Sequence, residues 1–142
     1  MAMTVARPRK TAKRGAGRAV RIKRVYELSA EDDGLRVLVD RLWPRGLAKD
    51  KAHIDQWLKD IAPSDALRKR FHGKMEDWET FRVAYGAELE GAAGQAAART
   101  VFDLARNGPV TLLFAARDER HNNAVALSAW LERHRKRRAT AN

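Results

Sequence analysis

Residues 110–115 read Val-Thr-Leu-Leu-Phe-Ala, and residues 35–40 read Leu-Arg-Val-Leu-Val-Asp. Each holds a short aliphatic run set off by turn residues: Asn107-Gly108-Pro109 precedes one, and Pro44 and Gly46 follow the other. A strand that is apolar throughout is covered on both faces, which is how strands of a parallel sheet read. Helical patterns lie between and after the two runs. Trp78, Phe81, Tyr85 and Leu89 recur at helical spacing within residues 76–90, and Glu76, Asp77 and Glu79 load the first turn of that segment. Ala98, Val101, Phe102 and Ala105 share a face within 94–106. Ala124, Leu127, Ser128 and Leu131 share another, flanked by Val125 and Trp130, in a last helix whose end dissolves into a basic run. Ser64 is placed to cap a helix over residues 65–71, which His72-Gly73 ends. Residues 21–27 suit a strand near a sheet edge. Ile54, Trp57, Leu58 and Ile61 fit a helix by counting, but they run into Ala62-Pro63, so a strand stays open for that segment. The pattern predicts an α/β layer with a mainly parallel sheet flanked by helices.

Charge is distributed unevenly along the 142 residues, which carry 29 Lys plus Arg, 18 Asp plus Glu and a formal net charge of +11. Residues 1–24 hold nine basic side chains and no acid, and residues 132–142 hold five against Glu132. That leaves 15 basic and 17 acidic groups in residues 25–131, so the body is nearly neutral and polyanion attraction belongs to the two ends. The expected organisation is a disordered basic tail over 1–20, one domain over 21–132 and a basic extension over 133–142. Such tails can hold nucleic acid, and partnership through them is the alternative functional reading. There is no cysteine, which excludes thiolate chemistry, thiolate metal sites and disulfides. No apolar stretch is long enough for a bilayer span, so no membrane partner is expected and a cytoplasmic location is. His53, His72, His121 and His134 show no ligand spacing, and neither dinucleotide nor Walker glycine motifs occur; no metal or cofactor is expected. The sequence leaves the oligomeric state open.

Parallel sheets bind ligands beyond the carboxyl ends of their strands. Behind Val39 come Asp40, Arg41, Trp43 and Arg45, and behind Ala115 come Arg117, Asp118, His121 and Asn122. If the two strands are parallel neighbours, both clusters open onto one crevice. Guanidinium groups there would clamp a phosphate or carboxylate, and Asp40 or Asp118 beside His121 would supply general acid–base groups. The ordinary alternative is that these aspartates cap turns, Trp43 packs in a core and Asn122 caps the last helix. Whether such a site catalyses a reaction is not legible.

Residues 37–46 (VLVDRLWPRG), Ala62-Pro63-Ser64 with Leu67-Arg68-Lys69 and Phe71-His72-Gly73, and residues 111–127 (TLLFAARDERHNNAVAL) resemble the YeaO-like branch of a large bacterial family of uncharacterised proteins. The resemblance spans about residues 21–132. It implies a small cytosolic α/β fold of Rossmann-like layering and tips residues 54–60 toward a strand. It brings no established reaction. A methyltransferase label carried by some relatives finds no glycine-rich methyl-donor loop in this chain. The positions matching a family site are Asp40, Arg41, Trp43, Arg45, Ser64, His72, Arg117 and Asn122. Close relatives usually read Asn-His-Ala where this chain has Asn122-Asn123-Ala124, so a family histidine that moved protons would have no counterpart at Asn123.

Overall fold

The computed structural model describes residues 20–71 and 77–141, with the side chains of the last helix described as far as Arg137. His72 and the basic stretch 1–19 lie outside the described residues. Four strands, β1 (Arg21–Arg24), β2 (Leu35–Leu38), β3 (Gln56–Trp57) and β4 (Val110–Phe114), form one sheet in the order β1-β4-β2-β3. Every pairing is parallel. The two apolar runs take the centre of the sheet, where both faces are covered, and the charged β1 takes an edge. This is a small α/β layered fold, with helices α1 (Lys49–Ala52), α2 (Asp65–Arg70), α3 (Trp78–Leu89), α4 (Ala92–Asn107) and α5 (Asn123–Ala141).

Alternation along the strands divides the core in two. Val37, Val39, Val110, Leu112 and Phe114 face a helical layer contributed by Phe81, Tyr85 and Leu89 of α3, Ala98 and Val101 of α4, and Leu127 and Trp130 of α5. Leu38 and Leu113 turn to the other face, where Val25, Trp43, Leu47, Ile54 and Trp57 cover them from the loops. Each fully buried aliphatic side chain contributes about 1.5–3 kcal/mol, so the central strands hold the two layers together.

The segment 54–61 resolves into the short β3, whose Leu58 N–H donates to the Leu38 carbonyl, and a single 3-10 turn over Lys59–Ile61. Its apolar residues separate by face: Ile54 and Trp57 join the loop side, Leu58 and Ile61 the helical side. Four apolar residues that mimic a helical stripe thus serve two layers of a sheet. At the other end of the chain, α5 continues through the basic run to Ala141 instead of ending near residue 132. Arg, Lys and Ala are good helix formers, cations suit a helix C-terminus, and Arg135 pairs with Glu132 one turn back. Gly34 needs its hydrogen: its φ is +66° and a Cβ there would lie 2.1 Å from the Pro109 carbonyl oxygen. That contact lays the segment entering β2 against the turn entering β4. No helix among the described residues is long and apolar enough to cross a membrane.

Candidate functional site

Because β2 and β4 are parallel neighbours, the chain leaves both at the same edge of the sheet. The Asp40 carboxylate ties the two departing segments together. One oxygen accepts from the Ala115 backbone N–H at 2.9 Å and the other from the Asn123 side-chain amide at 3.0 Å. Asn123 also donates to the Val39 carbonyl at 3.0 Å. The loops after β2 and β4 therefore meet, with the first residue of α5 between them. Burial pushes the Asp40 carboxyl above the usual aspartate value, and the Asn123 and Ala115 donors only partly offset it. Tyr85 is fully buried nearby and donates its hydroxyl to the Ile61 carbonyl at 2.6 Å. Burial, reinforced by the negative charges of Asp40 and Glu88 and opposed by Arg41, holds its phenol well above the ordinary tyrosine value.

The remaining residues expected at a site fall into two groups. Some are occupied within the protein. Arg41 donates to the carbonyls of Pro63 at 3.0 Å and Ala62 at 3.2 Å, tying the β2 loop to the segment before α2. Trp43 donates to the Leu47 carbonyl at 2.6 Å and meets Trp57 edge-on, while Trp57 donates to the Asp40 carbonyl at 2.7 Å. Ser64 caps α2 by accepting from the Leu67 N–H at 3.1 Å, and its hydroxyl donates to Glu88 of α3 at 2.6 Å. Asn122 caps α5, accepting from the Val125 N–H at 2.9 Å. Asp118 folds the loop before it: one oxygen accepts the N–H groups of Arg120 and His121 at 2.9 and 3.0 Å, and the other faces His121 Nδ1 at 3.1 Å. The Arg120 N–H and the His121 contacts hold the exposed Asp118 carboxyl below the usual range. The His121 ring also lies edge-on to Trp78 of α3.

Arg45 and Arg117 form the second group, with exposed side chains. A chain of contacts connects their loops: Tyr26 donates its hydroxyl to the Arg45 carbonyl at 2.8 Å, the Arg24 guanidinium stacks over the Tyr26 ring, and Arg24 donates to the Ala116 carbonyl at 2.9 Å. Sequence reasoning did not place Tyr26, Tyr85, Glu88 or the side chain of Asn123 in this region. The contacts of the first three cross between elements distant in sequence, so no local spacing marks them. Asn123 entered only as the residue standing for a family histidine, whereas its amide anchors Asp40.

Comparison with known proteins agrees with this picture at the level of family. Residues 19–142 match a family model, DUF488-N3i, described as the inactive DUF488-N3 subclade. The chain is 45% identical over 112 residues to "Uncharacterized protein YeaO" of Escherichia coli, an alignment covering 79% of this chain and 96% of that protein. It is 40% identical over 112 residues to "Uncharacterized protein Rv3073c" of Mycobacterium tuberculosis and to "Uncharacterized protein Mb3100c" of Mycobacterium bovis, covering 79% of this chain and 92% of each. No solved structure matches it. The VDRLWPRG loop and the loop opening α5, which carry the resemblance, are the two segments that Asp40 joins, and the chain belongs to the DUF488-N3i family.

Proposed function

We propose that this protein is a cytosolic binding domain, not a catalyst, and that it holds a small phosphate- or carboxylate-bearing ligand at the carboxyl edge of its sheet. The observation carrying this reading is the Asp40 clamp, which draws the two post-strand loops together while Arg45 and Arg117 stay exposed. Exposed guanidiniums on adjoining loops are suited to bidentate capture of an oxyanion. Groups that a catalyst would need for proton transfer serve the scaffold instead. Asp40 accepts two protein donors, Asp118 shapes its own loop, and His121 is braced between Asp118 and Trp78. Asn123 does not titrate, and the family description of an inactive subclade points the same way.

Thermal-shift titration with inorganic phosphate, nucleotides and sugar phosphates tests the reading. A ligand at a hundred times its dissociation constant stabilises the fold by about 2.7 kcal/mol, a rise of several degrees in melting temperature. We expect the Arg45→Ala/Arg117→Ala double variant to lose most of that rise for the ligand that produces it. Equal shifts in both proteins would remove the site. Turnover of the bound ligand that disappears in Asp40→Asn would replace a binding domain with an enzyme.

A further inference from the structure

The fold brings the two basic ends of the chain to one pole, opposite the edge that carries Asp40. Residue pairing Arg21↔Thr111 puts the entry to β1 level with the start of β4, so the stretch 1–19 joins the body at the amino edge of the sheet. Helix α5 starts at the carboxyl edge and packs along β1 and β4. Helix α4 ends at Asn107, just before β4 begins at that same amino edge, and its Phe102 stacks on His134 of α5. Past His134, α5 therefore heads toward and beyond that edge. Lengths agree: 19 helical residues span about 28 Å and five strand residues about 17 Å. The overhang, on the order of seven residues, is Arg135 to Ala141. Arg133, Arg135, Lys136, Arg137 and Arg138 thus share a pole with Arg21 and with six further Arg and Lys in residues 1–19.

We propose that this pole is a nucleic-acid-binding surface that engages the phosphate backbone without reading sequence. Nearly all the excess positive charge resides there, since the intervening body is close to neutral. Its acids are few. Glu132 pairs with Arg135 at 2.6 Å and Lys136 at 3.9 Å, Glu90 lies 3.9 Å from Arg137, and Asp32 lies 3.5 Å from Arg21. Beside the row, α3 and α5 leave a cavity of about 580 Å³ lined by Arg82, Gly86, Trp130, Arg133 and Arg137 among others, where a phosphate finds three guanidiniums. A membrane surface fits less well. A helix that lies in a headgroup layer carries an apolar face of Trp, Phe or Leu, and residues 133–141 (RHRKRRATA) contain none. Phosphate contacts made by Lys and Arg along a helix and an adjoining basic arm give affinity through counterion release.

The test is fluorescence anisotropy of labelled duplex and single-stranded 20-mers with the full chain across a salt series. For six to ten phosphate contacts, affinity falls by about a thousandfold or more between 50 and 200 mM salt. Reversing two exposed cations, Arg133→Glu/Lys136→Glu, is expected to weaken binding roughly tenfold and reduce the salt slope by about two. The charge-matched control Lys51→Glu/Lys69→Glu, on the exposed surface of α1 and α2, is expected to change neither by more than about twofold. A second variant on the arm, Arg9→Gln/Lys10→Gln/Lys13→Gln/Arg14→Gln, should weaken binding comparably, and it decides the matter should the α5 variant misfold. Equal losses in the pole and control variants would show net charge alone and overturn the proposal. So would phosphatidylserine vesicles holding the protein while the 20-mers do not.

Discussion

Arg36→Ala is expected to lower the unfolding free energy by about 3–5 kcal/mol, the cost of breaking a buried ion pair. Arg36 is 4% exposed in the middle of a sheet, an unusual place for a guanidinium, and every face of it is used. Its Nη1 lies 2.6 Å from Asp33, itself 4% exposed, and its Nε and Nη2 donate to the carbonyls of His53 and Ala52 at 2.8 and 3.4 Å, closing the end of α1. Thr111 of β4 donates its hydroxyl to the Asp33 carbonyl at 2.7 Å, and Lys23 of β1 approaches the same carboxylate at 3.1 Å. One polar knot thereby fastens β1, β2, β4 and α1 on the loop side of the sheet. Burial pushes the Asp33 carboxyl up, but the Ala30 N–H, Lys23 and Arg36 outweigh it, so it titrates below its ordinary value. Its contribution is present above the unfolded-state pKa of 3.8 and is lost as pH falls through the lower folded value. Removing Arg36 leaves the charge with Lys23 alone and strands two carbonyls. Urea denaturation checks this, and a loss below about 1 kcal/mol, the worth of an exposed pair, would show that the knot contributes little. The double variant Asp33→Asn/Arg36→Met should recover part of the loss, because it removes both charges together.

Asp40→Ala is expected to cost about 2–3 kcal/mol, since it leaves the Ala115 N–H without an acceptor and takes one of two acceptors from the Asn123 amide. The loss should be accompanied by faster hydrogen exchange at Ala115 and weaker ligand binding through Arg45 and Arg117, because the loops are no longer joined. Asp40→Asn separates charge from shape. The amide retains one acceptor oxygen, and it does not titrate. Because burial raises the wild-type carboxyl in the folded protein, its stabilising contribution is fully present below the unfolded value of 3.8 and is lost as pH rises through the folded value. The stability advantage of wild type over Asp40→Asn should therefore be largest in acid and shrink as pH climbs. An advantage that does not change with pH would show that Asp40 has the same pKa folded and unfolded.

The central strands were legible because both bury two faces, and burial on two faces leaves an uninterrupted aliphatic run in each. Helix α3 was legible for a related reason, one buried stripe at a period that no strand shares. Residues 54–61 were ambiguous because period and layer coincided: the same four apolar positions satisfy a helix stripe or the two faces of a short strand and turn, and pairing with β2 settled it. The end of α5 was misjudged because a dense basic run reads as solvated tail, while helix propensity and pairing to Glu132 sustain the helix. Arg36 escaped notice altogether. A lone cation in a strand reads as an outward-facing position, and only its partners from three other segments make it an inward one.

Local sequence determined that this protein is an α/β layer, where its inner strands run, and that its positive charge is concentrated at its two ends, since each depends on the spacing or composition of neighbouring residues. Tertiary structure decided that Asp40 joins two loops, that Arg36 and Asp33 lie inside, and that both basic ends occupy one pole. Those facts depend on strand order and on which backbone donors lack partners, and residues about 75 to 100 positions apart set them together only once the sheet has formed.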